Sequence, residues 1–178
     1  YGMGNKKLAA QLGLEQDQAY ELFNQYHNRV PFVRELSRQV SNVAGSRGYI
    51  KTLLGRKRRF DLWEPRDSWG ERAYSLSEAY SHYPKQELKR AYTHTALNAL
   101  IQGSSADITK SAMIKIYEAG LLDEIDLKLT IHDELDFSIP RNKQKCFEEA
   151  LQIMKTCVKL KVPLKVDVEK GDNWGNAK

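Results

Sequence analysis

Cysteine, proline and long apolar runs are all scarce in this chain of 178 residues, and each scarcity removes a class of protein. The two cysteines, Cys146 and Cys157, stand eleven residues apart with no CxxC or Cys/His spacing. That argues against a disulfide framework or a zinc site and predicts buried thiols in a reducing compartment. No apolar stretch approaches the roughly 20 residues that a bilayer span needs. The opening "YGMGNKKLAAQLGL" lacks the apolar core of a secretory signal. A P-loop, a GxSxG elbow and an HExxH motif are all missing, and His27, His82, His94 and His132 show no metal-binding spacing. Hydrolase and zinc readings therefore have no support. There are no internal repeats or low-complexity segments.

Acids are scarce in one place. From Arg47 to Arg59, "RGYIKTLLGRKRR" holds six basic residues and no Asp or Glu. Such a run is either a solvated loop or a set of phosphate contacts. The formal net charge of +5 leans toward a polyanionic partner without requiring one. With 41% hydrophobic and 29% charged residues, the chain can form one ordinary domain or two small lobes. It opens on Tyr1 rather than Met, and "Tyr-Gly" runs into a helical pattern without a good cap, as expected of a piece of a longer chain.

Periodicity predicts amphipathic helices over 5–12 and 15–28, with Leu14, Ala19, Leu22, Phe23 and Tyr26 as the apolar stripe of the second. Pro31 suits the first turn of a third helix, predicted to run to about Ala44 and to be broken by Gly45 and Gly48. A turn is expected at Gly55. Residues 61–88 carry two Pro and two Trp with weak periodicity and read as an irregular excursion that can still bury some surface. A long helix follows from about Lys89 to Ala119, with a possible interruption near Gly103 and an end at Gly120. Two strands, about 125–131 and 134–139, form a hairpin around His132-Asp133, followed by a helix over 142–160. In that helix Phe147, Ala150, Leu151, Met154 and Val158 face inward. "PLKVDVEKG" reads as a last strand. The predicted class is α+β: helices first, then a small antiparallel sheet backed by helices.

Two constellations could carry chemistry. In "LKLTIHDELDFSI" an imidazole and two acids occupy a turn where Gly or Asn is usual. Carboxylates on a rigid hairpin tip suit a hard cation such as Mg²⁺, which takes oxygen ligands and keeps several waters. A solvent-exposed Asp-Glu turn is the plainer alternative. In "HTALNALIQGSSAD", His94, Asn98 and Gln102 recur every four residues and would line one helix face, with Leu97, Leu100 and Ile101 turned toward a core. Hydrogen-bond donors in a row fit the minor groove, where each base pair offers an N3 or O2 acceptor, so such contacts are nearly blind to sequence. Gly103, Ser104 and Ser105 would allow close backbone approach. A solvated polar face is the alternative here.

In order and spacing these segments resemble the C-terminal part of family A DNA polymerases, the kind that includes bacterial DNA polymerase I and phage replicative enzymes. "YGMGNKKLAAQLGL" resembles the end of the family's motif B helix; "RGYIKTLLGRKRRF" its Gly-Tyr, Thr-Leu, Gly-Arg-Arg segment; "ALNALIQGSSADITKSAMI" its Asn, Gln-Gly, Ala-Asp helix. "IHDELDF" is similar to motif C and "VPLKVDVEKGDNW" to the closing strand and Asn-Trp end. The resemblance implies a fingers part over 1–60, the excursion over 61–90, and a palm part over 91–178. It implies DNA synthesis from dNTPs on a primer-template by a two-metal mechanism, with Mg²⁺ as cofactor and Asp133 as its ligand. Glu134 would be the supporting acid and His132 would lie near the primer terminus. Gln102, Asn98 and His94 would contact the DNA, Arg56 and Arg58 would hold phosphates, and Tyr1 would sit beside the nascent base pair to help select the nucleotide. The upstream polymerase portion becomes an implied partner, because motif A, with the second metal-binding Asp, is not in this sequence; the chain alone is expected to be inactive. No membrane partner is implied, and the expected setting is bacterial or phage-infected host cytoplasm.

Departures accompany the resemblance. His94 stands where bacterial members usually carry Arg, a phage-like trait; Lys178 stands where the family often ends in His; and 62–91 is longer than its bacterial counterpart. Single-subunit RNA polymerases share a distant architecture but typically lack the acid after His-Asp, so Glu134 favours DNA synthesis. A basic, non-catalytic nucleic-acid-binding module remains the alternative from another class.

Overall fold

The computed structural model describes residues 4–67 and 72–177. They divide into two compact units, 1–104 and 105–178, each described by itself below. Tyr1, Trp69 and Lys178 lie outside the described residues.

The first unit opens with three helices: α1 (Asn5–Leu12), α2 (Gln16–Arg29) and α3 (Pro31–Arg47). Gly13 closes α1 in the left-handed region at φ 64, its amide donating to the Ala9 carbonyl. A Glu15/Gln18 capping box starts α2, and Pro31 occupies the first turn of α3. The sequence predicts a break at Gly45, but α3 runs through it and ends at Gly48. One glycine in a helix interior costs only about 1 kcal/mol, less than the packing of Val40 and Ala44 returns. On α2, Ala19 is buried as expected, whereas Leu22 and Tyr26 are exposed.

After α3 the chain forms a hairpin, β1 (Tyr49–Lys51) with β2 (Lys57–Arg59), register Tyr49 to Arg59, turning at Gly55. Val40, Ala44, Ile50, Phe60 and Ala96 form the unit's core, with Leu36, Val43, Ala99 and Leu100 packed on it. Residues 61–90 are not the irregular excursion the composition suggests. They hold β3 (Trp63–Pro65), α4 (Leu76–His82) and β4 (Leu88–Arg90), with β3 and β4 paired antiparallel. Ser75 caps α4 through a capping box with Glu78, and the Tyr74, His82 and Tyr83 rings cluster beside it. Arg90 ties this segment to the core. Its Nη1 donates to the Phe60 carbonyl at 2.8 Å, and its guanidinium lies 4.5 Å from the Trp63 ring centre.

That arrangement leaves no room at Gly48. A Cβ there would stand 2.6 Å from Arg90 Cζ, on a backbone at φ 78. Gly48→Ala is therefore expected to cost about 2 kcal/mol, from left-handed strain plus displacement of the guanidinium. Urea denaturation checks this; a loss under a few tenths of a kcal/mol would show that Arg90 is loosely held.

The long helix α5 (Ala96–Glu118) starts later than the periodicity predicts and passes through Gly103 without interruption. Before it, Tyr92 adopts φ 59, and Thr93–Thr95 form a 3₁₀ turn held by the Ser41 hydroxyl donating to the Thr93 carbonyl. Leu97 and Leu100 are half-buried, but Ile101 is 45% exposed, against expectation.

The second unit packs α5's C-terminal half, the β5 (Asp126–Ile131) and β6 (Glu134–Ser138) hairpin, and α6 (Gln144–Thr156). Its core is Ile116, Leu121, Ile125 and Ala150, joined by Leu122, Leu135, Phe137, Ile139, Cys146, Ile153 and Met154. Helix α6 is shorter than the predicted 142–160. At its C-terminus the Cys157 carbonyl accepts hydrogen bonds from Lys115 Nζ and Ser111 Oγ on α5. Burial pushes the Cys157 thiol up, which fits a packed, unreactive side chain. The closing strand predicted for "PLKVDVEKG" is not formed: residues 163–171 carry no strand pairing, and β5–β6 remains two-stranded among the described residues. A strand needs a partner edge, and no described segment lies against these residues as one.

Candidate functional site

The turn between β5 and β6 is as tight as a hairpin allows. Ile131 pairs with Glu134, so His132 and Asp133 are its two loop residues. His132 adopts φ 54, the positive φ that the first position of a primed hairpin turn requires. Gly or Asn usually fills such a position, and His is among the side chains that tolerate it. His132, Asp133 and Glu134 are all exposed.

The strands fix the direction of the tip. The register shifts between Leu127 and Leu129, making Lys128 a bulge. Thr130 and Leu135 form one cross-strand pair, Leu127 and Phe137 another, and Leu135, Phe137 and Ile139 pack on the core. The opposite pairs are Ile131 with Glu134 and Leu129 with Asp136, so Glu134 and Asp136 share a face. Asp136 Oδ2 is buried and has no hydrogen-bond partner among the described residues. The sequence reading missed this acid, although its offset of two from Glu134 in a strand pattern was a usable signal. No three His, Cys, Asp or Glu side chains among the described residues stand close enough to share a metal ion.

In the first unit, α5 presents Asn98 and Gln102 one turn apart, as the spacing predicts. His94 is not on this helix; it lies in the 3₁₀ turn that precedes it. The left-handed corner at Tyr92 and the Ser41 bond to Thr93 tighten that turn, so the expected stripe of three becomes a helical pair plus an exposed His. Gln102 is exposed, while Asn98 is half-buried, its Oδ1 buried and without a partner among the described residues.

The β1–β2 hairpin is brought against this helix by a contact no local pattern reveals. Arg56 Nη2 donates to the Gly103 carbonyl at 2.8 Å, and the Leu53 amide donates to Ser104 Oγ at 3.0 Å. Gly103 permits the approach: a Cβ there would meet Thr52 Cγ2 at 2.7 Å. Lys57 lies over the Tyr49 ring and Arg58 over the Phe60 ring, at 4.9 and 5.6 Å from their centres. The basic run is thus a rigid, exposed hairpin next to the Gln102 turn. Arg56, Arg58, His94, Asn98 and Gln102 belong to the first unit, and His132, Asp133 and Glu134 to the second.

The His-Asp-Glu hairpin thus follows the helix that carries Asn98, Gln102 and Gly103, to which the Gly55-Arg56 turn is pinned. The profile of DNA polymerase family A matches residues 1–176, and the chain belongs to that family. It is 40% identical over 156 residues to a DNA-directed DNA polymerase of Pseudomonas phage M6, covering 88% of this chain and 19% of that protein. It is 33% identical over 188 residues to DNA polymerase theta of Drosophila melanogaster, covering all of this chain and 8% of the relative. Among solved structures, the POL domain of Pol1 from M. smegmatis, in complex with DNA primer-template and dNTP, matches with a TM-score of 0.75 and 32% identity. That match covers 99% of this chain and 29% of the other. The chain therefore spans a small part of the proteins it resembles. No helix among the described residues is long and apolar enough to cross a membrane.

Proposed function

We propose that this chain supplies part of the catalytic body of a template-directed DNA polymerase: a fingers part over 1–60, an accessory segment over 61–90 and a palm part over 91–178. It would act in nucleotidyl transfer from dNTP to a primer 3′-hydroxyl. The observation that carries the reading is the two-residue turn that holds Asp133 exposed at a hairpin tip, in a chain of family A. A dNTP and primer-template bound to the solved relative support the substrate classes.

Asp133 and Glu134 fit Mg²⁺ by donor chemistry, since that ion takes one or two protein carboxylates and completes its shell with water and phosphate oxygens. When bound, the metal would activate the primer hydroxyl and offset charge on the transferring phosphate. Asp133 would hold the ion, and Glu134, at the start of β6, would keep the tip negative beside it. His132, fixed by its left-handed backbone, offers a ring nitrogen to the primer terminus. Gln102 and Asn98 present amides to minor-groove acceptors, with His94 one turn before them, and Arg58 on β2 offers phosphate contacts. Arg56, bound to the Gly103 carbonyl, steadies the hairpin against the Gln102 turn as well as bearing charge. Tyr1 would sit beside the nascent base pair.

Two-metal chemistry requires a second aspartate, which the family resemblance assigns to an upstream polymerase portion, so Asp133 would supply one side of the site. The purified chain is expected to give no primer extension, and adding the upstream polymerase portion, fused or as a separate polypeptide, is expected to restore Mg²⁺-dependent extension. Extension by the chain alone would overturn the half-site reading. Tight DNA binding without extension after complementation would leave a binding module and remove the polymerase.

A further inference from the structure

The turn that joins β1 to β2 carries two leucines where polar residues are usual. The Gly55 amide donates to the Thr52 carbonyl at 3.0 Å, which closes a β-turn over Thr52–Gly55 and puts Leu53 and Leu54 at its two corners. Turns favour Gly, Pro, Asn, Asp and Ser. Leu53 and Leu54 are 46% and 55% exposed, so neither gains much from the core.

The tip is held in place. The Leu53 amide donates to Ser104 Oγ at 3.0 Å, Arg56 Nη2 to the Gly103 carbonyl at 2.8 Å, and the Thr52 amide to the Arg56 carbonyl at 2.9 Å. Gly103 and Ser104 are the two residues that follow Gln102 on α5, so the apolar tip is fixed beside that exposed amide. Its frame is cationic: Lys51, Arg56 and Lys57 are exposed, and no acid lies between Arg47 and Arg59. A protein surface seated on the leucines would have to desolvate those cations, whereas a polyanion pairs with them. Apolar side chains inside a cationic frame, next to an amide, match the minor groove of a duplex. Phosphates line its rims, base-edge acceptors its floor and sugar edges its walls. Those sugar edges are apolar in DNA, whereas RNA displays 2′-hydroxyls there.

We propose that Leu53 and Leu54 lie against the deoxyribose walls of the minor groove beside Gln102, and so select duplex DNA over a duplex that contains RNA. A 2′-hydroxyl pressed on either leucine would lose its water and gain no hydrogen bond. The inference rests on the DNA-polymerase reading and adds a sugar-specificity element to it.

The test uses the 178-residue chain and fluorescence anisotropy at one salt concentration, with two labelled blunt duplexes of the same sequence, one all DNA and one a DNA–RNA hybrid. Wild type is expected to bind the DNA duplex about tenfold more tightly, the effect of roughly one desolvated hydroxyl. The double variant Leu53→Ser/Leu54→Ser, at exposed positions of a turn that accepts Ser, is expected to keep its thermal midpoint and to show less than half the wild-type ratio. Should the pair lower the midpoint, Leu54→Ser alone is read by the same criterion. Leu53→Met/Leu54→Met is expected to keep the ratio. Lys57→Gln is expected to weaken both duplexes alike, because phosphates are common to both; a loss confined to one would make the preference a matter of charge and overturn the proposal. More than half the wild-type ratio in the serine variant would also overturn it, as would a wild-type ratio below about threefold or failure to bind either duplex. A serine variant that loses affinity for the upstream polymerase portion while its duplex ratio is unchanged would make the tip a protein contact instead. If complemented enzyme extends primers but the chain shows no preference for DNA, the inference fails and the polymerase reading stands. If the preference holds and extension never appears, the polymerase reading fails and the duplex-selecting tip stands.

Discussion

Asp133→Asn is expected to lower primer extension by the complemented enzyme at least about a thousandfold, or about 4 kcal/mol of transition-state stabilisation. The reasoning is local. Asn is nearly isosteric with Asp and is at home in hairpin turns, so the Ile131–Glu134 register and the tip should survive. What disappears is the charge that makes the side chain a ligand for a hard cation. DNA binding should change by less than about twofold, because removing an exposed negative charge near a polyanion cannot weaken the attraction. Single-turnover extension and anisotropy, run on the same preparation, separate the two effects. Near-normal extension by the variant would mean that Asp133 is not a metal ligand. Equal losses in binding and extension would mean that the tip is structural.

Gly103→Val carries the largest expected effect on stability. Alanine at this position gains roughly 1 kcal/mol of helix propensity over glycine, and in an open helix would stabilise. Here its Cβ would stand 2.7 Å from Thr52 Cγ2. Thr52 cannot easily retreat: it is 7% exposed, its amide donates to the Arg56 carbonyl and its carbonyl accepts from Gly55. Valine adds two further carbons and β-branching, so overpacking outweighs propensity and the cost should reach about 3 kcal/mol. That is a large share of the roughly 5–15 kcal/mol available to an ordinary domain. Thr52→Ala alone should be nearly neutral, because it removes a packed methyl together with a buried hydroxyl that lacks a partner among the described residues. Combined with Gly103→Val it should recover about 1 kcal/mol or more, seen as coupling in a double-mutant cycle from urea melts. Losses that simply add would show that the two residues are not in forced contact.

What the sequence reveals of this chain is what short-range patterns encode. Gly13 and Pro31 mark helix ends, and alternation around His132-Asp133 marks the hairpin, because caps, turns and period-2 burial involve residues within a few positions of one another. The candidate acids at the tip were legible for the same reason. Long-range contacts were not. The β3–β4 pairing joins Trp63 to Arg90 across the stretch that composition presents as irregular, and its stability comes from Arg90 gripping the Phe60 carbonyl and the Trp63 ring. Arg56 reads as a phosphate contact by its basic neighbours; that it also holds Gly103 depends on a bond spanning 47 positions. The start of α5 was misplaced because a tyrosine, not a glycine, takes the left-handed corner. No strand forms over 163–171, because alternation describes a strand's faces and says nothing about a neighbour for its edge.

The bulge at Lys128 has a consequence that is colloidal rather than catalytic. A two-stranded ribbon offers unpaired amides and carbonyls along both margins, and flat ribbons of this kind join end to end or side to side as concentration rises. In β5 the extra residue twists one margin out of register, and Lys128 with the neighbouring Asp126, paired at 3.0 Å, sets charge along it. An interrupted, charged margin of this kind is a poor template for a second copy.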